Sequence, residues 1–244
     1  MKLGLFIPCY VDQLHPSVGR ASLLLLEKLG LQVTVLAGPA CCGQPLSNSG
    51  YASLATDSRD QFRNQCEGLD AVLCPSGSCT LHLRESLESV DSSLAHRVHE
   101  LCEFIHDQVK PSALPWARFN QRVSLHHSCH GLRGLGLGSC SECMTHAPFS
   151  KCASLLKLVT GLELVDLKRS DECCGFGGTF AVFEKDVSTA MGLDRLQDHL
   201  QAGAQVITSA DMSCLMHLGG LLARNHPGQA RVMHIAEILC GESQ

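Results

Sequence analysis

Apolar and polar positions along the chain switch between a strand-like and a helix-like period. Short apolar runs predict strands at LGLFIP (3–8), LQVTVLA (31–37) and DAVLC (70–74). Between the first two, PSVGRASLLLLEKLG (16–30) has helical spacing and closes on Gly30, a residue suited to ending a helix. A further helix is predicted from about Tyr51 to Gly68, and LHLRESLESV and VHELCEFIHDQV also read as helices. PSALPWARFNQ (111–121), with two prolines, reads as a linker. The pattern then restarts. RVSLHHSC (122–129) predicts a strand, SKCASLLKLVTG (150–161) a helix and LELVDL a strand. A helix across about 184–202, the strand AQVITSA and a helix around SCLMHLGGLLAR complete the series.

The restart is an internal duplication. Cys41–Cys42 recurs as Cys173–Cys174 at an offset of 132, and Cys79 in SGSCTLH recurs as Cys214 in DMSCLMH at 135. RVHELCEFI (97–105) recurs as RVMHIAEIL (231–239) at 134. Two domains follow, 1–115 and 116–244, each of parallel α/β character because strands and helices alternate. Ligands of such sheets collect beyond the carboxyl ends of the strands. Cys9, Cys41, Cys74, Cys129 and Cys173 all end or follow a predicted strand.

Composition narrows the function. The 244 residues suffice for a proper core. A net charge of −5 and 5% aromatic residues provide neither the basic footprint nor the stacking surface of a nucleic-acid binder. No uninterrupted apolar stretch reaches membrane-spanning length, and MKLGLFIPCY reads as a first strand rather than a signal peptide. Fifteen cysteines, an odd number in a chain this long, fit a disulfide scaffold poorly. The expectation is a reducing, cytoplasmic setting with thiolates available to metal.

Each half offers four matched cysteines: Cys9, Cys41, Cys42 and Cys79, then Cys129, Cys173, Cys174 and Cys214. Four thiolates suit zinc or an iron–sulfur cluster. The matched groups lack the C-x2-C knuckle usual for zinc and the C-x2-C-x2-C run of ferredoxins. Adjacent thiolates serve a cluster better than a single zinc ion, because neighbours can bind different irons. The glycine after each doublet permits positive φ and lets backbone N–H groups approach sulfur. Zinc, and thiols that are redox-active or merely packed, stay open as alternatives.

The duplicated C…CCG…SC pattern resembles the cysteine-rich CCG domain found in heterodisulfide reductase and in the iron–sulfur subunit of glycolate oxidase. CCGQPLSNSGY, PSGSCT, CCGFGGTF, SCL and VMHIAE resemble more closely the lactate-utilization family within that group, over essentially the whole chain. The resemblance implies two Rossmann-like CCG domains and one or two iron–sulfur clusters of the 4Fe-4S type on the eight cysteines. It further implies a cytoplasmic electron-transfer subunit, non-catalytic or co-catalytic, with two iron–sulfur partner subunits in oxidising L-lactate to pyruvate. A zinc-stabilised assembly scaffold and a thiol/disulfide redox subunit are the alternative readings. The fuller family pattern ends in C-x2-C, where this chain has Ser76 and Asp211 in place of the first cysteine. Either oxygen, or Cys74, would be needed to complete a five-ligand set.

Several residues carry weaker signals. His82 and His217 each lie three residues beyond a matched cysteine, one helical turn on. His126, His127 and His130 flank Cys129 and suggest a polar pocket. Cys140 and Cys143 form a C-x2-C that reads as an incidental pair in a glycine-rich loop or as an accessory site. Cys66, Cys102 and Cys240 fall in predicted helices, where packing is the expected role.

Overall fold

The computed structural model describes residues 1–37, 41–142 and 147–241. Two compact units divide the chain, Met1–Lys110 and Pro111–Gln244. The first holds a four-stranded parallel sheet in the order β2-β1-β3-β4, with β1 Leu3–Leu5, β2 Val33–Val35, β3 Ala71–Cys74 and β4 Val98–Glu100. The second holds a sheet in the matching order β6-β5-β7-β8, with β5 Arg122–Leu125, β6 Glu163–Val165, β7 Val206–Ser209 and β8 Arg231–His234. The registers correspond as well: Leu5 pairs with Leu73, and Leu125 with Thr208. Both halves are thus the parallel α/β units expected of the repeat.

Burial explains the sheet order. β3 and β7 are buried along their length, as central parallel strands covered on both faces are. β2 and β6 are the partly exposed edges. The Pro16–Lys28 helix buries Val18, Ala21, Leu25 and Leu26 against the first sheet, with Pro16 at its first position, where proline costs no hydrogen bond. In the second unit the Met212–Asn225 helix buries Leu215, Leu218 and Leu222.

One element differs from the sequence expectation. VHELCEFIHDQV is not one helix: Val98–Glu100 is a strand, and helical structure begins at Leu101. Likewise β8 precedes the Ile235–Cys240 helix. In both places the strand runs into the helix without a turn, joined by a capping box, Glu100 with Glu103 and His234 with Glu237. With no turn residue to mark the junction, the apolar positions merge into one helical-looking run. The 111–121 segment also packs more than a free linker would. Leu114 and Ala117 are buried, and Trp116 Nε1 donates to the Leu239 carbonyl at 3.1 Å.

Candidate metal centre

In each sheet the first crossover runs to one side of the initial strand and the next to the other. The order therefore reverses between β1 and β3, and between β5 and β7. Such a reversal opens a crevice at the carboxyl ends of the two strands. Cys9 opens the short helix after β1, and Cys129 immediately precedes the turn of helix at His130–Gly134 after β5. Cys79 is the third residue of the Gly77–Glu88 helix after β3, and Cys214 the third of Met212–Asn225 after β7. The doublets enter from the loops that follow β2 and β6.

The four sulfurs of each half meet. Cys42 Sγ lies 3.3 Å from Cys79 Sγ, and Cys41 is in hydrogen-bonding contact with both Cys9 and Cys42. The second half repeats the chain of contacts from Cys129 to Cys173, Cys174 and Cys214. Backbone N–H groups point at the leading sulfur of each doublet: Gly43 donates to Cys41 Sγ at 3.4 Å, and Gly175 to Cys173 Sγ at 3.3 Å. Both glycines have positive φ, 90° and 83°. A Cβ on Gly175 would sit 2.7 Å from the Ser188 carbonyl oxygen, so the loop packs too closely there for any side chain.

Charge in this cradle is unevenly shared. Donation from the Cys42 and Cys9 thiols, helped by the Gly43 N–H, pulls Cys41 down to about 2. Cys173 falls to about 2 through Cys129, Cys174 and Gly175 in the same way. Donation to Cys41, together with burial, pushes Cys9 far above the ordinary thiol range, and Cys129 and Cys174 rise for the same reasons. One thiolate per half is comfortable and four are not. A bound cation supplies the charge that lets all four ionise. The donor set therefore fits a metal centre, and the N–H donors fit one whose sulfurs carry negative charge.

Ser76 and Asp211, which stand where the family pattern has cysteine, are fully buried helix N-caps. Ser76 Oγ accepts from the Cys79 N–H at 3.3 Å and from the Tyr10 hydroxyl at 3.1 Å. Asp211 Oδ1 accepts from the Ser213 N–H at 3.2 Å and the Ser213 hydroxyl at 2.7 Å. Cys74 is buried and its thiol donates to the Ser76 carbonyl at 3.7 Å. His217 Nε2 sits 3.2 Å from the Ser188 carbonyl, while Ser188 Oγ donates to the Gly175 carbonyl at 2.7 Å, so the pair braces the doublet loop. His82 lies close enough to Cys41 to favour its thiolate. Cys66, Cys102 and Cys240 are buried, as packing cysteines are. Cys140 is half-buried, and Cys143 lies outside the described residues.

Of the three flanking histidines, His126 enters the centre. One of its ring nitrogens, Cys174 Sγ and Cys214 Sγ all lie within 4.8 Å of one another. Behind it is a buried polar group that carries no local sequence signature. Arg195 Nε donates to His126 Nδ1 at 3.3 Å, and Arg195 Nη1 to Asp198 at 2.9 Å and to the Arg169 carbonyl. His199 Nδ1 is 2.7 Å from Ser124 Oγ. Burial, then the nearby Arg195, holds His126 down to about 3 and His199 to about 2, so both rings are neutral near pH 7. The repeat register marks only His126 of this group, which stands where the first half has Phe6.

Fold and sulfur sets together define a class. The cysteine-rich domain family, CCG, matches the chain twice, over residues 3–84 and 123–219. The chain is 38% identical to lactate utilization protein A of Geobacillus sp. (strain WCH70) over 248 residues, covering 98% of this chain and 99% of that protein. It is 38% identical to the protein of the same name from Exiguobacterium sp. (98% and 96% covered) and 35% identical to that of Bacillus subtilis (98% and 99%). The chain belongs to the lactate utilization protein A family. No helix among the described residues is long and apolar enough to cross a membrane.

Proposed function

We propose that the chain is a cytoplasmic iron–sulfur subunit of a multi-subunit system that oxidises L-lactate to pyruvate. Each half holds one cluster through its own four cysteines, Cys9, Cys41, Cys42 and Cys79 or Cys129, Cys173, Cys174 and Cys214. The observation that carries this reading is the convergence of four thiols per half, with a backbone N–H aimed at the leading sulfur of each doublet. A bound cluster supplies reversible one-electron storage. The protein's own part is to exclude water from the inner pair of sulfurs and to leave the outer pair near the surface. Cys42, Cys79, Cys174 and Cys214 are buried, whereas Cys9, Cys41 and Cys129 are half-buried and Cys173 is exposed. The partners in this reading are two other iron–sulfur subunits. Val182 and Phe183, 72% and 76% exposed and a few residues beyond the CCGFGG loop, give such a partner an apolar foothold beside the second centre.

Iron and acid-labile sulfide measured after anaerobic reconstitution, with EPR of the reduced protein, test the reading. Iron and sulfide in equal amounts, together with a reducible EPR signal, are expected. A chain that binds neither refutes it. The 3.3 Å separation of Cys42 and Cys79 Sγ favours one second reading, a structural zinc ion, whose thiolate ligands stand about 3.8 Å apart in a tetrahedral site. Tight zinc binding without visible absorbance or redox activity would select it.

A further inference from the structure

The two halves differ at one register-equivalent position beside the sulfurs. The Phe6 N–H donates to the Leu73 carbonyl at 2.9 Å, and the His126 N–H to the Thr208 carbonyl at 2.7 Å, the same rung of the two sheets. Each residue stands three places before the first cysteine of its set. Phe6 meets Phe62 edge to face at 5.1 Å, whereas His126 meets His199 at 6.0 Å in a similar arrangement. The first half is apolar at this point, and the second carries a buried imidazole.

Hydrogen bonding fixes the state of that imidazole. A guanidinium N–H only donates, so the contact from Arg195 Nε occupies the lone pair of His126 Nδ1. A neutral ring then carries its proton on Nε2. This atom is buried and has no hydrogen-bond partner among the described residues. A buried N–H without an acceptor is destabilising. The acceptors beside the ring are the sulfurs of Cys174 and Cys214. Direct coordination through Nε2 would instead require removing the last ring proton while Arg195 holds Nδ1, so donation is the favoured role.

We propose that His126 donates an Nε2–H hydrogen bond to the sulfur of the second-half cluster and raises its reduction potential above that of the first-half cluster. The inference rests on the iron–sulfur reading given above. Taking up one electron adds negative charge that the sulfurs share, and an N–H donor stabilises the reduced state more than the oxidised one. Phe6 offers the first-half cluster no such donor. Arg195, Asp198 and Ser124 act through the two histidines as positioning residues.

The test uses the full chain carrying Cys41→Ser and Cys42→Ser, which leaves the second-half site alone to be reconstituted with iron and sulfide. An EPR-monitored redox titration is then compared with and without His126→Phe. The expected result is at least a tenfold loss in the one-electron reduction equilibrium, a midpoint about 59 mV or more lower. His126→Gln, which keeps an N–H donor, recovers most of the shift. Pulsed EPR of the chain with His126 intact is expected to show only weakly coupled nitrogen. A midpoint that moves less than threefold with cluster content unchanged, or strongly coupled nitrogen from a coordinated ring, overturns the role of His126. Absence of bound iron and sulfide in the unsubstituted chain sinks the iron–sulfur reading and this inference with it. An unmoved midpoint in a loaded protein sinks the inference alone.

Discussion

At the scale of single residues, the centre depends on positions where only one side chain fits. Gly175 combines a φ of 83° with a would-be Cβ 2.7 Å from both the Ser188 oxygen and Met191 Cβ. Gly30 has a similar φ of 79° with nothing within 4 Å. Gly30→Ala therefore carries only the left-handed backbone cost, about 1–2 kcal/mol. Gly175→Ala adds a clash with backbone, for about 2–4 kcal/mol in all, and displaces the Cys173–Cys174 loop. Urea midpoints and iron content measure the contrast, and equal effects of the two changes would contradict it. The buried histidines make a second residue-scale prediction. His199 falls from 6.5 to about 2, by burial first and then by Arg195. Between those values the unfolded chain takes a proton that the folded one refuses. The stability of the neutral ring is thus complete above pH 6.5 and lost as pH falls below it, by up to about 1.4 kcal/mol per pH unit. His199→Phe should flatten the dependence of stability on pH between 6 and 5 by about one proton, and an unchanged slope would refute the assignment. The histidines beside Cys129 are legible in the sequence as a polar cluster. Their supporting partners Arg195 and Asp198 are not, because they sit together on a helix 69 or more residues beyond His126 and meet it only once the sheet forms.

At the scale of elements, the helix starts after β3 and β7 place a sulfur and hold it. Ser76 caps the helix that carries Cys79, and Asp211 caps the one that carries Cys214. Read from the cysteine pattern alone, these two residues look like lost ligands. The structure gives each a complete local task, because a helix N-terminus needs an acceptor for its first N–H groups. Ser76→Ala should lower stability by about 1 kcal/mol, up to about 2, and leave the iron-to-protein ratio unchanged. Loss of half the iron at unchanged stability would show a ligand instead. Element type is legible where turn residues punctuate the chain, as at Gly30 and Pro16. It is not legible at β4 and β8, whose strands of three and four residues pass into helices through capping boxes. The duplication nevertheless marks both places, since RVHELCEFI and RVMHIAEIL align with each other. What the repeat does not reveal is which period those shared residues follow.

At the scale of the whole molecule, the duplicated sheets make each sulfur set local to one unit. Cys9, Cys41, Cys42 and Cys79 all lie within Met1–Lys110, and Cys129, Cys173, Cys174 and Cys214 all lie within Pro111–Gln244. The strand order of each unit opens its own crevice, so each set reaches its meeting point without residues from the other half. Within each set, the doublet's second cysteine and the helix-borne cysteine form the buried pair, the contacts that solvent reaches least. Replacing one of these by serine leaves three thiolates and a buried hydroxyl in that half alone. Cys42→Ser should then cut bound iron and sulfide about in half, as should Cys174→Ser, and the double substitution should abolish both. The remaining signal in each single variant should keep the midpoint it has in the unsubstituted chain, because the other sheet, its caps and its N–H donors are untouched. If each single change by itself removes all the iron, the cofactor is shared rather than held once per unit. If Cys42→Ser costs no iron while Cys174→Ser costs all of it, only the second unit is a metal centre. The first would then be a structural copy whose thiols pack as Cys74 does.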